Sequence, residues 1–146
     1  MPVTVKKVTL WRKEVENRPG ALAGALEPLA QVKADLKVVM GYRLPGQESR
    51  AAIEVQPVTG KKATDAAQGA GLAASTLPTL LVEGDNRPGL GHAIAKAIAD
   101  ANINVSFVLA QVVGRKYSAV FGFDNEADAS KAAILIKKAS APAKKR

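Results

Sequence analysis

The 146-residue sequence contains no cysteine, which removes disulfides and thiolate metal sites from consideration. It has a single histidine, His92, which falls off the apolar stripe of its helix and reads as a partly exposed helix residue. With no second histidine to join it, no metal site is expected. Aromatic residues make up only 4% of the chain, too few for the stacking platforms of RNA-binding sheets. No continuous apolar stretch approaches the ~20 residues needed to span a bilayer. The opening run MPVTVKKVTLWRKEVE carries lysines without an apolar core behind them, which is not the pattern of a secretory signal. A soluble cytoplasmic protein with no membrane partner is the expectation.

What is present is an ordinary globular composition, 47% apolar and 23% charged. The net charge of +8 is unevenly distributed. Residues 1–73 carry 11 Lys/Arg against 7 Asp/Glu, residues 74–136 carry 5 against 6, and the last ten carry Lys137, Lys138, Lys144, Lys145 and Arg146 with no acid. Most of the excess, +5, therefore sits in the last ten residues, and 139–146 reads as a disordered basic end. Such tails touch nucleic acid or anionic surfaces in some proteins and are merely solvated in others.

The chain is organised around a stretch that occurs twice. Glu16-Asn17-Arg18-Pro19-Gly20-Ala21-Leu22 returns, 69 residues later, as Asp85-Asn86-Arg87-Pro88-Gly89-Leu90-Gly91. Both copies lie between a strand-like and a helix-like run. Proline suits a first helical turn, where its missing N–H would have no partner. Glycine permits close approach of backbone or ligand, and asparagine can cap a helix or turn the chain. A well-made helix start explains each copy alone, and duplication preserves caps as readily as sites.

Around these turns the periodicities give the same order twice. A strand from about Val5 to Glu16 precedes a helix from Pro19 to about Lys33 with stripe Leu22, Ala25, Leu26 and Leu29. Pro28 should kink or shorten that helix. Strands follow at Asp35–Leu44 and Ser49–Val58, then a helix from Lys61 to about Gly71 whose stripe of Ala63, Ala66, Ala67 and Ala70 implies close packing. A last strand of the first unit falls around Leu72–Thr76, with Pro78 interrupting the run toward the next strand, Thr79–Gly84. The second copy continues with a helix Pro88–Ala101, strands Val105–Val113 and Lys116–Phe123, and a helix over about Glu126–Lys138. The fold class is α+β, two tandem ferredoxin-like βαββαβ units, 1–74 and 75–138, each an antiparallel sheet with helices on one face. Units of about seventy residues are marginal alone, so the two should pair.

Asn-Arg-Pro-Gly-x-Leu between first strand and first helix, with Ala101-Asn102-Ile103-Asn104-Val105 at the second strand, resembles the ACT domain. The resemblance covers about residues 5–138. It implies a non-catalytic sensor with no cofactor: an amino acid bound where two units meet, a regulated partner enzyme or regulator, and a homodimer. The resemblance joins Asn17, Arg18, Pro19, Gly20, Ala21 and Leu22 to Asn104, Val105 and Ser106 in one ligand-binding site. A second site joins Asn86, Arg87, Pro88, Gly89, Leu90 and Gly91 to Asp35, Leu36 and Lys37. Asn104 matches the family's polar ligand-holding position, whereas the first unit reads Lys33-Ala34-Asp35-Leu36 there, so the first site is favoured. The partner segment comes from the same chain or from another protomer.

Elementary chemistry points the same way. Helix N–H groups receive a carboxylate, while an asparagine oxygen and strand carbonyls receive an ammonium. Each charge-assisted bond is worth roughly 1.5–3 kcal/mol. Other candidates fare worse. The carboxylates Glu14 and Glu16, or Glu83 and Asp85, lack a nucleophile and orienting group, so no catalytic residue is assigned. Gly69-Ala70-Gly71 and Gly89-Leu90-Gly91 lack the Walker lysine-serine pair. Arg115–Phe121 resembles in outline the third-strand signature of an RNA-recognition module, but Lys116 and Ala119 stand where glycine and a stacking aromatic are required. The alternative reading is a nucleic-acid-binding adaptor that uses the basic tail on the same sandwich.

Overall fold

The computed structural model describes residues 3–141. Its elements in chain order are β1 (Thr4–Val8), β2 (Trp11–Glu16), α1 (Ala21–Gln31), β3 (Val38–Leu44), β4 (Gln47–Gln56), α2 (Gly60–Gly69) and β5 (Ala73–Ala74), then β6 (Thr79–Asp85), α3 (Leu90–Asp100), β7 (Val105–Val113), β8 (Lys116–Phe123) and α4 (Glu126–Ser140). They form two four-stranded antiparallel sheets, ordered β3-β4-β2-β5 and β7-β8-β6-β1. Thr9–Thr76 is one compact unit, and the residues through Val8 together with those from Leu77 onward are the other.

The first departure from expectation is at the start. The strand expected over Val5–Glu16 is two strands in different sheets, separated at Thr9-Leu10. β1 pairs with β6 from Thr4 opposite Glu83 to Val8 opposite Thr79. It occupies the edge that β5 occupies in the other sheet. β5 covers only Trp11 and Arg12 of β2, so β1 reaches three residues further along its neighbour. Gly84 answers that reach. A Cβ there would stand 2.8 Å from the Val3 Cα, so only glycine lets the buried Val3 cross it.

Burial follows the two periods. In the Thr9–Thr76 unit, Ala25 and Leu29 of α1 and Ala67 of α2 pack on Ile53 and Val55 of β4, with Leu72. Leu22, expected in this stripe, is instead 45% exposed at the first turn of α1. In the other unit, Leu90, Ile94 and Ile98 of α3 and Ala129, Ala132 and Ile136 of α4 cover Leu80, Val82, Phe121 and Phe123. α1 runs through Pro28 and ends at Gln31, so the proline does not break it. α4 continues through Ser140, whose buried hydroxyl donates to the Lys137 carbonyl at 3.1 Å. The tail expected from 139 therefore begins with helix, and its residues 142–146 lie outside the described residues. Among the described residues no helix is long and apolar enough to cross a membrane.

Candidate ligand-binding site

The repeated motif builds the same turn in both units. Ala21 N–H donates to the Arg18 carbonyl at 3.2 Å, and Leu90 N–H to the Arg87 carbonyl at 3.2 Å. Between them, Gly20 has φ 89° and ψ −10°, and Gly89 has φ 84° and ψ 0°. These are the third-residue angles of a type II β-turn, with proline at the second position. The prolines thus sit in the turn, one residue before the helix N-cap glycine, and not in the first helical turn as expected. Neither helix receives a side-chain cap there, so the capping role expected of Asn17 and Asn86 is not realised. Asn17 instead spans to the β3–β4 hairpin: its backbone N–H donates to the Ser49 carbonyl at 2.8 Å and its Nδ2 to the Glu48 carbonyl at 2.9 Å. Asn86 N–H makes the matching bond to the Arg115 carbonyl at 2.8 Å.

Within the Thr9–Thr76 unit this turn opens onto a cavity of about 320 Å³. That lies at the small end of the roughly 300–1,000 Å³ typical of ligand pockets. Its floor is apolar, made by Val15 of β2, Ala21 and Leu22 of α1, Gly41 of β3, and Ala51 and Ile53 of β4. The register explains the grouping. Val15 and Arg43 both pair with Ala51, and Gly41 pairs with Ile53, so these residues form two adjacent rows on the helix-bearing side of the sheet.

The rim is polar and carries one net positive charge. Glu16, Asn17, Arg18, Tyr42 and Arg43 also line the cavity. Arg18 Nε lies 3.3 Å from Glu16 Oε2, which neutralises that pair locally, whereas Arg43 is exposed on the edge strand β3. Tyr42 OH donates to the buried Glu54 carboxylate at 2.7 Å. Burial pushes the Tyr42 phenol up, the Glu54 hydrogen bond adds to it, and Arg12 pulls the other way. Glu54 lies one residue off the row that pairs Ile53 with Gly41, so this phenol is bonded on the sheet face away from the cavity floor.

The second repeat fills the corresponding space. Tyr117, paired with Gly84 and Val112, stands where Ala51 stands between Val15 and Arg43. Leu90 follows Gly89 as Ala21 follows Gly20. Leu90 is 1% and Tyr117 5% exposed, and the Tyr117 hydroxyl reaches to 3.9 Å from where a Cβ on Gly91 would stand. Burial raises the Tyr117 pKa. Arg87 donates to the Ala139 carbonyl at 3.1 Å, in the last turn of α4.

No family model and no curated protein matches the sequence. Solved structures do. Protein BT0572 from Bacteroides thetaiotaomicron superposes with a TM-score of 0.73 at 15% identity, over 92% of this chain and 89% of that one. The ligand-free regulatory subunit of aspartate kinase from Thermus thermophilus gives 0.62 at 13% identity, over 95% and 97%. That from Thermus flavus gives 0.59 at 15% identity, over 95% and 97%. The chain shares the two-unit fold of these regulatory subunits, in keeping with the fold that the ACT resemblance implies.

Of the residues expected from the first ACT motif, Asn17, Arg18, Ala21 and Leu22 line one cavity, and Pro19 and Gly20 shape the turn beside it. Asn104 is exposed immediately before β7, Val105 begins that strand, and the Ser106 hydroxyl donates to Asp124 Oδ1 at 2.5 Å. The two units agree closely at this point: Lys33 at φ 59° and Asn102 at φ 58° end the two helices alike, which makes Asp35 the counterpart of Asn104 in the repeat. Asp35 is paired with Lys37 at 2.5 Å. In the second motif, Asn86, Arg87, Pro88 and Gly89 keep the turn while Leu90 is committed to the core. The sequence reading did not reach Gly41, Tyr42, Arg43, Ala51 and Ile53. Aligning the repeats for side-chain size, Ala51 with Tyr117 and Ala21 with Leu90, is the signal that would have pointed to Ala51 and its neighbours.

Proposed function

We propose that the chain is a non-catalytic sensor that binds an amino acid and thereby regulates a partner enzyme or regulator. The observation that carries this reading is the first repeat's cavity: an apolar floor beside a helix-initiating turn, with arginines and an asparagine on its rim. Those groups meet the needs of a zwitterion with a side chain. The fold shared with the regulatory subunits of aspartate kinase supports a regulatory role, and the partner is a protein whose activity follows occupancy of the cavity.

The experiment is a thermal-stability screen of the full chain against each proteinogenic amino acid at millimolar concentration. A ligand at 100 times its dissociation constant adds about 2.7 kcal/mol, which for a unit of this size raises the melting point by roughly 10 °C or more. The segment Asn104–Ser106, which the resemblance joins to this turn, is tested with Asn104→Ala. No shift with any amino acid would overturn the sensing role.

A further inference from the structure

We infer that the chain holds one amino acid, in the first repeat only, and that Tyr117 with Leu90 acts as a built-in plug closing the equivalent place in the second. This inference rests on the amino-acid reading above and adds stoichiometry, ligand class and the residues that set both. Both repeats keep the same type II turn, so the turn does not distinguish them. The residues stacked behind it do. Ala21 and Ala51 leave space in the first repeat; Leu90 and Tyr117 occupy it in the second, each almost wholly buried. Interiors are packed to crystal-like density, so a tyrosine ring seated there leaves no room for a ligand side chain.

The two repeats also differ in charge at one row of the sheet. Arg43 flanks Ala51, whereas Val112 flanks Tyr117. Arg43 therefore supplies the first cavity with a planar, permanently charged donor set that the second lacks, suited to a carboxylate. Arg18 is already paired with Glu16, so among the described residues Arg43 is the free cation of the rim. Below it, Val15, Leu22 and Ile53 present only hydrocarbon. A buried polar or charged ligand side chain would lose its water there without a partner, so the ligand class is an amino acid with an apolar side chain.

The test is calorimetric titration of the full chain with L-valine, L-leucine, L-isoleucine, L-methionine and L-phenylalanine, and with L-aspartate, L-lysine and L-threonine as polar probes. The expected result is one apolar amino acid bound per chain. Ala51→Tyr and Ala21→Leu, each importing the residue that the second repeat already accommodates, should abolish binding while circular dichroism and melting remain native. Arg43→Val should weaken binding roughly tenfold to a hundredfold, the loss of one charge-assisted hydrogen bond. Tyr117→Phe should leave affinity unchanged. Two ligands per chain, undiminished binding in folded Ala51→Tyr or Ala21→Leu, or binding of polar probes alone would each overturn the inference while leaving amino-acid sensing intact. Absence of binding by every probe, with no stabilisation by any amino acid, would overturn the sensing role itself.

Discussion

Gly84→Ala isolates the contribution of the strand that completes the second unit from the start of the chain. The new Cβ would lie 2.8 Å from the Val3 Cα and 2.9 Å from its Cγ1, so the backbone of Val3 must move. Backbone cannot swing aside as a side-chain tip does. Overpacking of this kind costs about 1–3 kcal/mol. The alternative relief, expelling Val3 from a site where it is 5% exposed, forfeits about 1.5–3 kcal/mol of burial. Both routes converge on a loss of about 2 kcal/mol, or a melting point lower by roughly 8–16 °C for a unit of this size. The assay is denaturant unfolding by circular dichroism, run as a double-mutant cycle with a chain lacking residues 1–3. In that shortened chain the alanine should cost almost nothing, because its clashing partner is gone. Equal cost in both backgrounds, or a cost within about 0.5 kcal/mol of zero in the full chain, would refute the argument.

Gly20→Ala and Gly89→Ala should destabilise by nearly equal amounts, about 1–2 kcal/mol each, since both force a positive φ on a side chain while their Cβ atoms meet nothing within 4 Å. Urea titrations of the two variants check this, and a markedly unequal pair would deny that the turns are the same. The chain has two tyrosines, Tyr42 and Tyr117, both held neutral chiefly by burial. Their folded-state pKa values lie above the unfolded one, so this stability is complete below pH ~10 and is lost as pH rises through the folded values. Tyrosinate absorbance of the native protein should titrate later than that of the denatured chain; coincident curves would contradict the burial of Tyr117 and the Tyr42–Glu54 hydrogen bond.

The repeat, the order of elements and the placement of the turn were legible because they rest on local signals: apolar periodicity, Asn-Arg-Pro-Gly, and glycine-marked hairpins. The break between β1 and β2 was not, since Val8-Thr9-Leu10-Trp11 contains no turn residue and reads as continuous strand. The destination of β1 depends on pairing across 79 residues, from Thr4 to Glu83, which no local pattern encodes. Pro19 was misplaced by two residues because proline fits both the first helical turn and the second position of a type II turn. Only the positive φ of Gly20 decides between them. Half of the cavity was visible as the motif itself. The other half, Gly41, Arg43, Ala51 and Ile53, is brought to it by strand register, a tertiary property.

Occupancy of the first repeat's cavity by an amino acid can be seen directly. Its most direct measurement is a backbone amide NMR titration of the full chain with the amino acid that stabilises it most. The largest shifts should fall at residues 15–22, 41–43 and 51–53. Shifts confined to residues 84–91 and 117–120, or spread without focus, would contradict it.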